Sequence, residues 1–271
     1  MTLKKKLAQC SHAGKALLAA NFYNYETLKG LLQAAKKMNT PIILQLSESS
    51  LQYLGINPAV QMARAALTEF EVEGWIHLDH GSNIQLVQRC LDAGFDSVMI
   101  DASETDFREN IQISTTVVKI AEPYGAAVEA ELGYIPKLNQ EQTLSYTQPE
   151  DAKIFVEATG VDALAVAIGS AHGFYKQPPL LQLDLLREIH QATEAALVLH
   201  GSSGIPDEQL QHAIRNGISK INLATETKNT FMKKLKQSLT VSDDIDLRNV
   251  FPPAIESVKE LICTKLGVIS S

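Results

Sequence analysis

Eight short, nearly unbroken apolar runs alternate with amphipathic segments along the whole chain, and this alternation leaves few folds open. The runs cover 16–22, 41–47, 75–80, 97–103, 126–132, 163–169, 196–200 and 220–225. Between and after them, apolar residues recur at helical spacing near 25–38, 58–71, 83–93, 107–122, 149–159, 181–192, 206–216 and 226–239. A strand that is apolar throughout rather than at alternate positions is covered on both faces, which is the mark of a parallel sheet wrapped in helices. Eight such units predict a single (β/α)8 TIM barrel, with an additional C-terminal helix near 252–266. A doubly wound open sheet fits less well, because the first strand–helix turn lacks the expected run of glycines.

The punctuation agrees with this division. Pro149 and Pro206 fall in first helical turns, Ser82 and Asp106 suit N-caps, and Gly94, Gly160 and Gly217 suit helix ends. A chain of 271 residues is long enough for one large core, and no linker interrupts it, so residues 1–271 read as one domain. The formal net charge of −7 argues against a nucleic-acid surface, so an anionic ligand would need a local cradle. Lys4, Lys5 and Lys6 precede no apolar stretch of signal-peptide or membrane length and read as a solvated helix turn. Cys10, Cys90 and Cys263 have no metal-type spacing, and together these features predict free thiols in a cytoplasmic protein.

The strand bodies are apolar, but their ends are not. In order they offer Asn21 and Asn24, Gln45 and Ser47, Asp79 and His80, Asp101, Glu129 and Glu131, His172, His200, and Asn222 with Thr225. In a parallel barrel these ends converge on one mouth, where such folds carry their chemistry. Three imidazoles meeting there, with a coordination position to spare, describe a catalytic zinc site held by His80, His172 and His200. Glu131 is either a fourth or alternative ligand or a buried carboxylate paired with a lysine. His77 shares a strand face with Asp79 and reads as interior packing. His12, His190 and His212 lie in helical or loop segments and read as ordinary surface residues.

Asp79 and His80 are adjacent, so strand alternation sends them to opposite faces. Both serve the mouth only if His80 lies just past the last paired residue. Asp79 is then placed to exchange a proton with a substrate oxygen. The loops after strands 7 and 8, His200-Gly201-Ser202-Ser203-Gly204 and Asn222-Leu223-Ala224-Thr225, suit a phosphate. Barrels of this kind bind one there through backbone amides and a helix N-terminus.

Taken together, these residues resemble the class II, zinc-dependent ketose-bisphosphate aldolases, and most closely their tagatose-bisphosphate branch. The resemblance is carried by His77 through Gly81, Ser97 through Ser103, Val128 through Gly133, Asp162 through Gly173, Leu199 through Gly204 and Lys220 through Thr225. It implies one zinc per subunit on His80, His172 and His200, a monovalent cation as a second ion, and Asp79 as the proton donor. It further implies that Gly173, Gly201, Ser202, Ser203, Asn222, Leu223, Ala224 and Thr225 bind the dihydroxyacetone-phosphate half. Asn24 and Ser47 match pocket-lining positions, and Lys228 falls where members carry a basic residue near the far phosphate. A homodimer or homotetramer follows from the same resemblance, with a phosphorylated sugar as the partner molecule and neither nucleic acid nor membrane.

The chemistry fits. Aldol cleavage leaves charge beside a carbonyl that must move onto oxygen as an enediolate, and a zinc ion stabilises such charge as a Lewis acid. A Schiff-base route would need a lysine at the mouth. Lys220 begins the eighth run and so reads as lying at the opposite end. One departure stands out: after Gly133 the family continues with a Gly-Gly pair and an acidic loop. Here the chain reads Tyr134-Ile135-Pro136-Lys137-Leu138-Asn139-Gln140-Glu141-Gln142. Glu141 is left as the acidic residue able to handle the proton on carbon. The alternative is an aldolase-like protein that binds metal and phosphate but has an altered substrate range or lost activity. A metal-dependent barrel hydrolase is disfavoured, since the first strand has no His-x-His pair.

Overall fold

Each apolar run forms a strand, and the eight strands close on one another in sequence order. They are β1 (Leu17–Asn21), β2 (Ile42–Ser47), β3 (Gly74–Gly81), β4 (Ser97–Ile100), β5 (Ala127–Leu132), β6 (Ala163–Val166), β7 (Ala196–Leu199) and β8 (Ile218–Leu223). All neighbours are parallel and β8 pairs with β1, giving a closed TIM barrel. The computed structural model describes residues 1–136, 146–177 and 179–270. Glu141 therefore lies outside the described residues.

The helices are α1 (Leu3–Ala13), α2 (Tyr25–Met38), α3 (Glu48–Leu54), α4 (Ile56–Phe70), α5 (Ile84–Asp92), α6 (Phe107–Ala121) and α7 (Pro149–Thr159). They continue as α8 (Leu183–Ala192), α9 (Asp207–Arg215), α10 (Thr225–Val241), α11 (Leu247–Val250) and the C-terminal α12 (Pro252–Ser270). Asp106 caps α6, its side chain accepting the Glu109 N–H. Pro149 opens α7, and Gly160 ends it in a left-handed conformation. Two expected caps shift by one residue. Asn83, not Ser82, caps α5, because the Ser82 hydroxyl donates instead to Glu48 Oε2 at 2.6 Å. Pro206 sits at the N-cap of α9 rather than in its first turn. Among the described residues, no helix is long and apolar enough to cross a membrane.

Strand alternation divides the apolar residues into two compartments. Leu18, Leu44, Ile76, Val98, Val128, Leu164, Leu197 and Ile221 face the helices in one continuous cluster. Leu17, Ile43, Trp75, Ala163, Ala196 and Val198 form a second cluster inside the barrel, joined by Leu3, Leu7 and Cys10 of α1. The Lys4–Lys6 run thus belongs to a full helix rather than a solvated turn. Its apolar residues, spaced four and three apart, pack against interior residues from the starts of the strands. The Trp75 indole N–H donates to the Met1 carbonyl at 3.0 Å, and Lys4 pairs with Asp162 at 2.7 Å.

Candidate active site

β3 does not end before His80. The strand runs to Gly81, which pairs with Ile100, and the register slips between Leu78 and Gly81. The slip is made at His80 itself, whose φ is +52°. Left-handed backbone at a non-glycine residue costs about 1–2 kcal/mol. It breaks the strict alternation of the strand and lets Asp79 and His80 line the same mouth. Gly81 allows the bulge to close against β4, since a Cβ there would stand 2.6 Å from the Met99 carbonyl oxygen.

The three histidines converge. Ring centroids of His80, His172 and His200 lie 4.7–5.7 Å apart at steep interplanar angles, and one ligand nitrogen from each falls within 4.8 Å of the others. His80 Nε2 faces His200 Nδ1 at 3.0 Å. The other nitrogen of each ring is committed elsewhere: His80 Nδ1 to Asp101 Oδ2 at 2.7 Å, His200 Nε2 to Glu129 Oε1 at 2.9 Å. A carboxylate accepts only from N–H, so both rings turn their remaining nitrogens toward one point. Burial, and then the charge of His80, hold His200 well below the usual imidazole range. Burial would also lower His80, but the Asp101 hydrogen bond and the charges of Asp79, Glu131 and Asp101 outweigh it and raise it to about 9. A proton on His80 Nε2 therefore points at the His200 Nδ1 lone pair; a cation in its place would face one lone pair from each ring, and the donor set suits zinc.

Beneath His200 the barrel interior is polar. Glu129 is buried and its second oxygen accepts from Lys220 Nζ at 2.6 Å. Lys220 in turn stands 3.3 Å from His77 Nε2, and His77 Nδ1 lies 2.9 Å from Ser97 Oγ. Lys220 is therefore not at the far end of β8. It is the third residue of that strand, fully buried, with its ammonium reaching the carboxylate that holds His200. His77 fills the interior as expected. Glu129 takes the lysine that the alternative reading gave to Glu131. Alternation had the signal: Glu129 and Glu131, like Lys220 and Asn222, are two apart and share a face.

Glu131 instead joins His80 and Asp101 in a second group of ligand atoms within 4.8 Å of one another. Burial, followed by the Asp101 charge, pushes its carboxyl up to about 8, and its Oε2 has no hydrogen-bond partner. Asp79 behaves oppositely. Burial would raise it, yet the charges of His80 and His200 and the Asn21 hydrogen bond bring it below the usual carboxylate range. Asn21 Nδ2 donates to one oxygen at 2.9 Å and Asn222 Nδ2 to the other at 3.3 Å.

Asp79, the three histidines, Gly173, Gly201, Ser202, Ser203, Asn222, Ala224 and Thr225 line one cleft. It opens into a cavity of about 510 Å³ that also reaches Tyr23, Ser47, Glu131 and Lys228. Ala224 gives α10 no side-chain cap. Ser203 Oγ accepts the Glu226 N–H at 3.1 Å, tying the loop after β7 to that helix start. Lys228 Nζ lies 5.7 Å from the Tyr23 ring centroid. Two expected residues fall elsewhere. Asn24 caps α2 through a reciprocal pair with Thr27, and Asn21 lines the mouth in its place. Leu223 turns its side chain into the outer core.

Comparison with known proteins agrees with the barrel fold. The profile of the family described as class-II fructose-bisphosphate aldolase matches residues 1–271. The fructose-bisphosphate aldolase of Staphylococcus epidermidis is 37% identical over 98% of this chain and 96% of its own. That of Geobacillus stearothermophilus is 36% identical over 100% and 97%. The crystal structure of the YdjI aldolase from Escherichia coli K12 superposes with a TM-score of 0.89 at 32% identity, covering 99% of this chain and 97% of that one. The family profile spans the whole chain and these relatives match it over nearly their full length, so the chain belongs to the class II fructose-bisphosphate aldolase family.

Proposed function

We propose that this aldolase cleaves a ketose 1,6-bisphosphate with one zinc ion on His80, His172 and His200, and with Asp79 as its acid–base residue. The observation that carries this reading is the pair of histidine nitrogens facing each other at 3.0 Å while their outer nitrogens are held by Asp101 and Glu129. When bound, zinc supplies Lewis-acid stabilisation for the negative charge that develops on the substrate's carbonyl oxygen. Glu131 stands by as an alternative ligand, close to His80.

The chain's own groups do the rest. Asp79, ionised and fixed by two amides, takes the proton from the C4 hydroxyl as the C3–C4 bond breaks, and C4 leaves as the aldehyde. In condensation the proton returns from Asp79 to that oxygen. Gly173, Gly201, Ser202, Ser203, Asn222, Ala224 and Thr225 hold the phosphate that stays with the three-carbon ketone, through backbone amides and the α10 N-terminus. Ser47 and Lys228, in the wider cavity, serve the departing end. The proton that goes to carbon is assigned to Glu141.

The test is a comparison of kcat/KM for fructose and tagatose 1,6-bisphosphate, following dihydroxyacetone phosphate release. Turnover of either supports the reading, and the faster sugar names the branch. A protein that binds zinc and inorganic phosphate but releases no product from either would leave the second reading, a binding protein or an aldolase of altered range. The replaced 134–142 segment would then be the reason.

A further inference from the structure

The loops after β6 and β7 touch backbone to backbone, and one side chain holds them together. The Tyr175 hydroxyl accepts the Ala171 N–H at 2.6 Å and donates to the Gly201 carbonyl at 2.8 Å. Ala171 precedes His172 and Gly201 follows His200, so one oxygen links the chain beside one imidazole to the chain beside another. The approach is close enough that a Cβ on Gly201, whose φ is +67°, would lie 2.3 Å from the Ala171 carbonyl oxygen. On its other side the His172 N–H donates to the Pro136 carbonyl at 2.9 Å. The Tyr175 ring packs against the outer core, so the hydroxyl is presented from a fixed base. Burial, partly offset by the Ala171 hydrogen bond, pushes it up to about 12, and it remains a donor across working pH.

We propose that Tyr175 is a positioning residue for the aldolase reaction: its hydroxyl sets the separation between Gly173 and the Gly201–Ser203 turn, and thereby the grip on the substrate's phosphate. This rests on the reading of those residues as the phosphate cradle. Tyr175 touches neither substrate nor metal in this account and acts through the two loops it ties. Removing the hydroxyl leaves a buried N–H and a buried C=O without their partner and lets the loops part.

The test is Tyr175→Phe, compared with wild type by steady-state cleavage of fructose 1,6-bisphosphate and by competitive inhibition with inorganic phosphate. The expected result is a rise of about tenfold in KM and in the phosphate inhibition constant together, with a smaller loss in kcat, the pattern of weakened uniform binding. Unchanged KM and inhibition constant beside a lowered Tm would overturn the proposal, as would a variant that fails to fold, since either assigns the hydroxyl to stability alone. Phosphate that fails to compete in the wild type would overturn the cradle reading itself. Normal competition in the wild type that the variant leaves unaltered would overturn only the role given to Tyr175.

Discussion

His80 Nε2 and His200 Nδ1 face each other at 3.0 Å, and each ring is held from behind by a carboxylate, Asp101 for His80 and Glu129 for His200. Partners of this kind fix the tautomer and aim of a ligand, and losing one commonly costs about 10–100-fold in metal affinity. Asp101→Asn and Glu129→Gln are each expected to weaken zinc binding by about that factor, read by competition with a coloured chelator. Affinity within about twofold of wild type in both would contradict the arrangement described.

Asp79 is the proton carrier in this account, whereas its neighbours hold metal. Asp79→Asn should therefore lower kcat by about 10²–10⁴-fold with zinc content unchanged. Loss of zinc along with activity would move Asp79 from proton transfer to metal support.

Lys220 and Glu129 form a fully buried ion pair at 2.6 Å. Removing one member leaves an uncompensated charge inside the barrel, which costs about 3–5 kcal/mol. Lys220→Met should lower unfolding stability by roughly that amount in a urea titration, and combining it with Glu129→Gln should recover part of the loss. Stability of the single variant equal to wild type would mean the pair is not closed in the folded protein.

The cysteines give a test independent of the site. All three are free thiols, Cys10 and Cys90 buried and Cys263 partly exposed. Burial raises Cys10 and pushes Cys90 up to about 12 against the weaker pull of Arg89. A raised thiol pKa means less thiolate at a given pH, and thiolate is the reactive form. A disulfide-exchange reagent at pH 8 should label Cys263 quickly and the other two only after unfolding. Fast labelling of Cys90 would contradict the packing of α5 against the barrel.

The sequence carried much of this because burial on both faces makes parallel strands readable as apolar runs, and β2, β5 and β7 lie within a residue or so of those runs. The histidines and the polar loops after β7 and β8 were legible because polar residues interrupt such runs at the mouth. Other features were hidden for physical reasons. The bulge that brings Asp79 and His80 to one side depends on positive φ at a histidine, and the residue type does not announce it. The Glu129–Lys220 pair spans strands on different sides of the sheet order, so pairing it required the closed barrel. Asn24 and Asn21 look alike in sequence; only the start of α2 decides which one caps a helix and which one reaches Asp79. α1 was masked by its lysines, although Leu3, Leu7 and Cys10 already had helical spacing.

The central claim is a zinc ion on His80, His172 and His200 that the cleavage reaction requires. The most direct measurement is retro-aldol activity on fructose 1,6-bisphosphate with metal content followed in parallel, first after chelation and then on returning zinc. The active protein is expected to hold one zinc per chain, to lose both metal and activity on chelation, and to regain both with one equivalent of zinc. Full cleavage by metal-free protein, or one zinc still bound after His172→Ala and His200→Ala together, would contradict it.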